Sequence, residues 1–180
     1  WTIAPLAVAG VSSPRVAKTE GAPVRMVAEL PAAADTRRWV PVIDLAAAAS
    51  EFSDTQQPEP KGWLELVGRQ AGKGAFVAQV RGRSMEPAIP DGAWCLFRRV
   101  VPGSREGKVL LVQHRDITDP ESGGRYTVKR YRSRKVAQEE SWRHAEIVLE
   151  PDNPEFGPIA IDPLQADDLR VIAELVAVID

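Results

Sequence analysis

Two residues of complementary chemistry stand 45 positions apart: Ser84 in "VRGRSMEPAIPDGAW" (80–94) and Lys129 in "RYTVKRYR" (125–132). A serine hydroxyl is a weak nucleophile until a neighbouring base removes its proton. The alternating run "AFVAQV" predicts a strand that ends near Gly82, and Pro87 with Pro90 forbid a regular helix after it. Ser84 is therefore expected at a strand-to-turn junction, where its hydroxyl is exposed and nearby backbone N–H groups can receive an oxyanion. Two kinds of base are open to it. His114 and His144 are the chain's only histidines, and although neither has a setting that suggests a Ser-His-Asp triad, sequence distance alone does not dispose of one. The other base is a desolvated lysine, whose neutral amine can take the serine proton. Lys129 is the candidate, alternating with Thr127 and Tyr131 on one face of an expected strand while Val128 and Arg130 take the other. Without the serine motif, a mid-strand lysine would be read as a solvated edge charge.

The residues beside Ser84 have supporting roles. Met85 is expected to pack beneath the serine as a core side chain. Pro87, Ile89, Asp91 and Gly92 read as a rigid turn, with Asp91 capping it rather than acting as an acid. The single cysteine, Cys95, sits in "AWCLF" and reads as a small buried hydrophobe, in keeping with a reducing compartment. The sequence holds no phosphate-binding loop, Cys/His metal cluster or dinucleotide fingerprint, so neither a cofactor nor a metal is expected.

These residues must be held by strands. From Trp39 onward, β-branched and aromatic runs ("WVPVIDLA", "AWCLFRRV", "KVLLVQHR", "AEIVLEP", "RVIAELVAVI") alternate with Gly, Pro and Asp turns, which predicts a mostly antiparallel β body. Only "DLAAAASEF" and "PEPKGWLELVGRQ" suggest short helices, and "HRDITDPESGGRY" (114–126) reads as a long hairpin loop. Residues 1–38 form an Ala, Val and Pro-rich arm, with one suggested strand in "PVRMVAEL" (23–30) and no helix-turn-helix; residues 39–180 form the domain. With 23 basic and 25 acidic residues, the net charge of −2 gives no global attraction to nucleic acid or anionic lipid. No apolar run approaches the roughly 20 residues needed to span a bilayer. A soluble, cytoplasmic protein is expected, and the initial Trp1 suggests a piece of a longer polypeptide.

The serine stretch, followed by "YTVKRY", "LEPDNPEFGPIAID" (149–162) and "LVAVI" (175–179), resembles the peptidase domain of the LexA/UmuD family of self-cleaving serine peptidases, within the LexA/signal peptidase superfamily. The resemblance covers roughly residues 40 to 180. It implies a compact, twisted β fold, Ser84 as nucleophile, Lys129 as general base, and oxyanion donors from the backbone N–H groups of Arg83 and Ser84. It further implies an SOS or stress-type regulatory role in response to DNA damage. Two features depart from the pattern: Asp91-Gly92-Ala93 stands where many relatives have D-G-D, and the serine-to-lysine segment is longer than in the small SOS repressors, an excess that fits in "DITDPESGGR".

The substrate implied is the chain itself or another protein. Relatives cut their own chain at an upstream Ala-Gly bond, and Ala49-Ser50 lies at the corresponding distance, with serine in the glycine position; Ala9-Gly10 is the literal dipeptide but lies farther away. Relatives also pair through terminal strands, so "RVIAELVAVID", read as an apolar edge, suggests a homodimer. "KRYRSRK" (129–135) is a basic run that reads as a solvated hairpin, and DNA binding is expected only through a segment outside this chain. Two other readings stand beside a self-cleaving peptidase: a catalytically degenerate fold used for dimerisation or partner binding, and a signal-peptidase-like processing enzyme, which the lack of an anchor in this sequence disfavours.

Overall fold

The computed structural model describes residues 17–19, 25–46, 52, 58–99, 101, 103–114, 126–138 and 141–179. Eleven strands in these residues form one twisted mixed sheet. They are β1 (Ala17–Thr19), β2 (Arg25–Val27), β3 (Trp39–Val42), β4 (Gly62–Glu65), β5 (Ala75–Gln79) and β6 (Trp94–Arg98). There follow β7 (Val109–Gln113), β8 (Tyr126–Gln138), β9 (Ser141–Glu150), β10 (Ile159–Ile161) and β11 (Arg170–Ile179). The spatial order is β10-β9-β8-β7-β11-β6-β5-β3-β4-β2, with β1 joined to β11. The pairings are antiparallel except β1 with β11 and β3 with β5. The mostly β fold is as the sequence predicts.

Several strands are buried on both faces, which is why they read as unbroken apolar runs rather than alternating ones. Along β7, Val109 and Leu111 enter one core cluster while Leu110 and Val112 enter a second. Along β6, Cys95 and Phe97 join the first and Leu96 a third, shared with Val40, Leu64 and Val77. Cys95 is thus an ordinary core side chain.

The expected helix in "PEPKGWLELVGRQ" is instead β4, paired with β2 and β3. Alternation decided the outcome: Leu64 is buried while Trp63 and Glu65 are only partly so, a period of two that a helix cannot satisfy. Gly62 permits the close approach to β2, since a Cβ there would lie 2.7 Å from the Val27 carbonyl oxygen. Of "DLAAAASEF", Asp44–Ala46 form a turn, with the Asp44 carboxylate accepting the Ala46 N–H at 3.0 Å, and Phe52 is buried; residues 47–51 lie outside the described residues. Among the described residues the helical piece is the 3₁₀ segment Pro163–Asp168. The terminal strand β11 is not the open apolar edge expected, because β7 and β6 flank it and β1 lies along residues 177–179. The loop expected over 114–126 does join two antiparallel strands, β7 and β8, although residues 115–125 lie outside the described set.

Candidate functional site

The sheet brings Ser84 and Lys129 together. Strand β5 delivers the chain to a turn over residues 82–89, and Ser84 sits within it, nine-tenths buried. The turn is stitched to the chain that follows it. Val80 N–H donates to the Ala93 carbonyl at 2.9 Å, Gly92 N–H returns to the Val80 carbonyl at 2.9 Å, and Ile89 N–H reaches the Met85 carbonyl at 2.9 Å. The Gln79 amide adds a bond to the Gly92 carbonyl at 2.9 Å.

The Asp91 carboxylate accepts the Gly82 N–H at 2.7 Å across the turn. Gly92 has φ of +76°, a conformation that costs side-chain-bearing residues about 1–2 kcal/mol. Met85 and Ile89, from the same turn, are fully buried in the first core cluster. Ala93, the departure from D-G-D, lies in the same core, where a carboxylate would have to be desolvated.

Lys129 lies on β8, paired with Leu110 of β7, and is only 5% exposed. Its Nζ stands 2.7 Å from Ser84 Oγ, 2.9 Å from Thr127 Oγ1 and 3.2 Å from the Val128 carbonyl oxygen. None of these three atoms carries a formal charge, and burial by itself disfavours a charged ammonium. The solvated edge lysine is therefore not what this residue is. The Thr127 hydroxyl, buried two positions away on the same side of the strand, was not assigned a role from sequence; its alternation with Lys129 was the available signal.

A cleft of about 250 Å³ opens on this pair. It is lined by Ile43, Leu45 and Ala46 from the segment after β3, and by Tyr126, Ser84 and Lys129. The Ile43 N–H is held by the Val77 carbonyl at 2.8 Å, and Asp44 pairs with Lys61 at 2.6 Å. Phe52 anchors the chain again six positions after Ala46, its ring 5.5 Å from that of Tyr126 and 5.7 Å from that of Phe76. The candidate bond Ala49-Ser50 falls outside the described residues, as does Ala9-Gly10. His114 is buried but does not line the cleft, and the side chain of His144 is outside the described set.

Behind Ser84 lies a feature whose role sequence reasoning missed. Asn153, 6% exposed, donates its backbone N–H to the Ser84 carbonyl at 3.0 Å and its side-chain amide to the Arg83 carbonyl at 3.0 Å. Its own side-chain oxygen accepts the Glu155 N–H at 3.0 Å. The readable signal was Asn-Pro-Glu, a sequence suited to an Asx turn. The Arg83 guanidinium meets Glu86 at 3.2 Å and Glu155 at 3.6 Å.

The basic run after Lys129 is engaged with carboxylates where it is described. Arg130 binds Asp152, and Arg132 meets Glu150 at 3.0 Å and Glu106 at 3.4 Å. The Glu150 bond, more than that from Glu106, holds Arg132 still more firmly protonated than usual. Among the described residues no group of three or more His, Cys, Asp or Glu is placed to hold a metal ion, and no helix is long and apolar enough to cross a membrane.

Comparison with curated proteins returned no match. The family model described as Peptidase S24-like matches residues 41–176, a stretch that contains the serine turn, the lysine strand and the Asn153 loop.

Proposed function

Since the chain belongs to the Peptidase S24-like family, a serine peptidase family with a LexA-like domain, we propose that it is an endopeptidase in which Ser84 attacks and Lys129 serves as base. The observation that carries this reading is the 2.7 Å separation of Oγ and Nζ in a buried setting. A neutral amine has two N–H groups and one lone pair. The Val128 carbonyl can only accept, so it takes one N–H; the Thr127 hydroxyl takes the other. With those two N–H groups so directed, the lone pair can face the Ser84 hydroxyl, 2.7 Å away. Thr127 is in this account a positioning residue that points the lone pair at the nucleophile.

The reaction follows from that geometry. Nζ takes the hydroxyl proton as Oγ bonds to the substrate carbonyl carbon, and the carbonyl oxygen becomes an oxyanion near the Ser84 N–H. Collapse expels the amine of the downstream residue, which takes the proton from the Lys129 ammonium. Water, deprotonated by the same amine, then releases the acyl chain from Ser84.

The substrate we propose is the chain itself, between Ala46 and Phe52, with Ala49-Ser50 as the bond. Both ends of this segment border the cleft: Ala46 lines it, and Phe52 packs on Tyr126, which also lines it. Ala46 and Phe52, the described residues on either side of the proposed bond, are six residue steps apart. Small side chains suit an extended peptide brought within about 3 Å of a hydroxyl. A regulatory role of the SOS or stress type is part of the same proposal. Incubating the purified chain at alkaline pH should yield a fragment ending at Ala49 and one beginning at Ser50, and Ser84→Ala should yield neither. Fragments that persist in Ser84→Ala would refute the assignment.

A further inference from the structure

The loop after β9 grips the nucleophile from behind, and its geometry reaches the place where the oxyanion must form. The Arg83 carbonyl accepts two bonds, from the Asn153 side-chain amide at 3.0 Å and from the Glu86 N–H at 3.1 Å. The peptide joining Arg83 to Ser84 is trans, so its carbonyl and the Ser84 N–H point in opposite directions across one rigid plane. Holding the carbonyl toward Asn153 therefore turns the Ser84 N–H away from it. That N–H donates to no described residue. The next peptide is fixed as well, because the Ser84 carbonyl accepts the Asn153 N–H at 3.0 Å. Asn153 thus holds the carbonyls on both sides of the nucleophile's Cα, and it is itself buried and locked by the Glu155 N–H.

Resting on the peptidase reading above, we infer that Asn153 is a positioning residue for the oxyanion hole: its grip on the Arg83 carbonyl aims the Ser84 N–H at the oxygen that gains charge when Oγ attacks. Asn153 does not line the cleft that holds Ser84 and Lys129. Its loss should misdirect the oxyanion donor while leaving the base intact.

The test uses the full chain and two variants. Asn153→Ala removes the side-chain amide and the Glu155 contact; Asn153→Asp keeps an oxygen for the Glu155 N–H but sets a carboxylate against the Arg83 carbonyl. Self-cleavage should fall by roughly 10- to 100-fold at the alkaline plateau in Asn153→Ala, and at least as far in Asn153→Asp. In Asn153→Ala the pH at half-maximal rate should stay at the wild-type value, since the lysine is untouched. A second readout separates aim from general loosening. A peptide of residues 44–49 ending in an alanine boronic acid forms a tetrahedral adduct on Ser84, and should bind Asn153→Ala about 10- to 100-fold more weakly than wild type. The corresponding plain peptide should bind Ser84→Ala and Ser84→Ala/Asn153→Ala equally. Wild-type cleavage with unchanged rates in both variants overturns the inference alone, as does an equal loss for boronate and plain peptide. A wild-type chain that neither cleaves nor forms the adduct overturns the peptidase reading, and this inference with it.

Discussion

Arg130 holds the Asp152 carboxylate in a two-pronged grip, Nε to Oδ1 at 2.9 Å and Nη2 to Oδ2 at 2.8 Å, while its third nitrogen reaches the Gly107 carbonyl at 2.8 Å. Arg130 follows Lys129 on β8, and Asp152 precedes Asn153. The strand that carries the amine therefore also anchors the loop that holds the serine's backbone, closing a ring of contacts from Ser84 through Lys129, Arg130, Asp152 and Asn153 back to Ser84.

Arg130→Ala should cost about 2 kcal/mol of stability, because the pair is part-buried and its loss removes hydrogen bonds to a charged carboxylate. Urea titration checks this. Asp152→Asn, which keeps one accepting oxygen, should cost less. Equal stability of Arg130→Ala and wild type would show that the ring is not a structural tie.

Thr127→Val removes one hydroxyl at nearly constant volume and frees an N–H of the amine to turn toward Ser84. Self-cleavage should slow by about 10- to 100-fold, and Thr127→Ser should restore most of it. The pairing of the two variants, followed by gel densitometry, separates the hydroxyl from the methyl group.

Phe52 is tested for its two effects together. Phe52→Ala should destabilise the chain by about 3–5 kcal/mol through the emptied aromatic site. Under conditions where the variant remains folded by circular dichroism, cleavage should also slow by about tenfold, because one end of the segment is no longer held at the cleft. Wild-type cleavage should be first order, with a half-time unchanged over a hundredfold range of protein concentration. A half-time that shortens in proportion to concentration would mean that one molecule cuts another.

Much of this was readable from residue order. Turn chemistry around Pro87, Asp91 and Gly92 placed Ser84 where a strand bends, and alternation put Thr127 beside Lys129. What alternation could not reveal was how far Lys129 is buried, since the serine hydroxyl it meets lies 45 positions upstream and the cleft wall that includes Ile43 and Leu45 lies farther still. The clamp by Asn153 escaped notice for the same reason: its partners lie 70 positions upstream. "PEPKGWLELVGRQ" misled because helix-compatible residues such as Leu and Glu outweighed a two-residue period only four residues long, and the tertiary pairing with β2 and β3 prevailed. The terminal strand read as an edge because its apolar run is long; that run is long because β11 is covered on both sides over part of its length.

The central claim is that a shielded, uncharged lysine amine takes the proton of Ser84, and the rate of self-cleavage as a function of pH tests it most directly. The rate should rise about tenfold per pH unit until the amine is fully deprotonated and then level off, and Lys129→Arg, charged throughout that range, should produce no fragments at any pH. A flat profile, or cleavage by Lys129→Arg at the wild-type rate, would contradict the account.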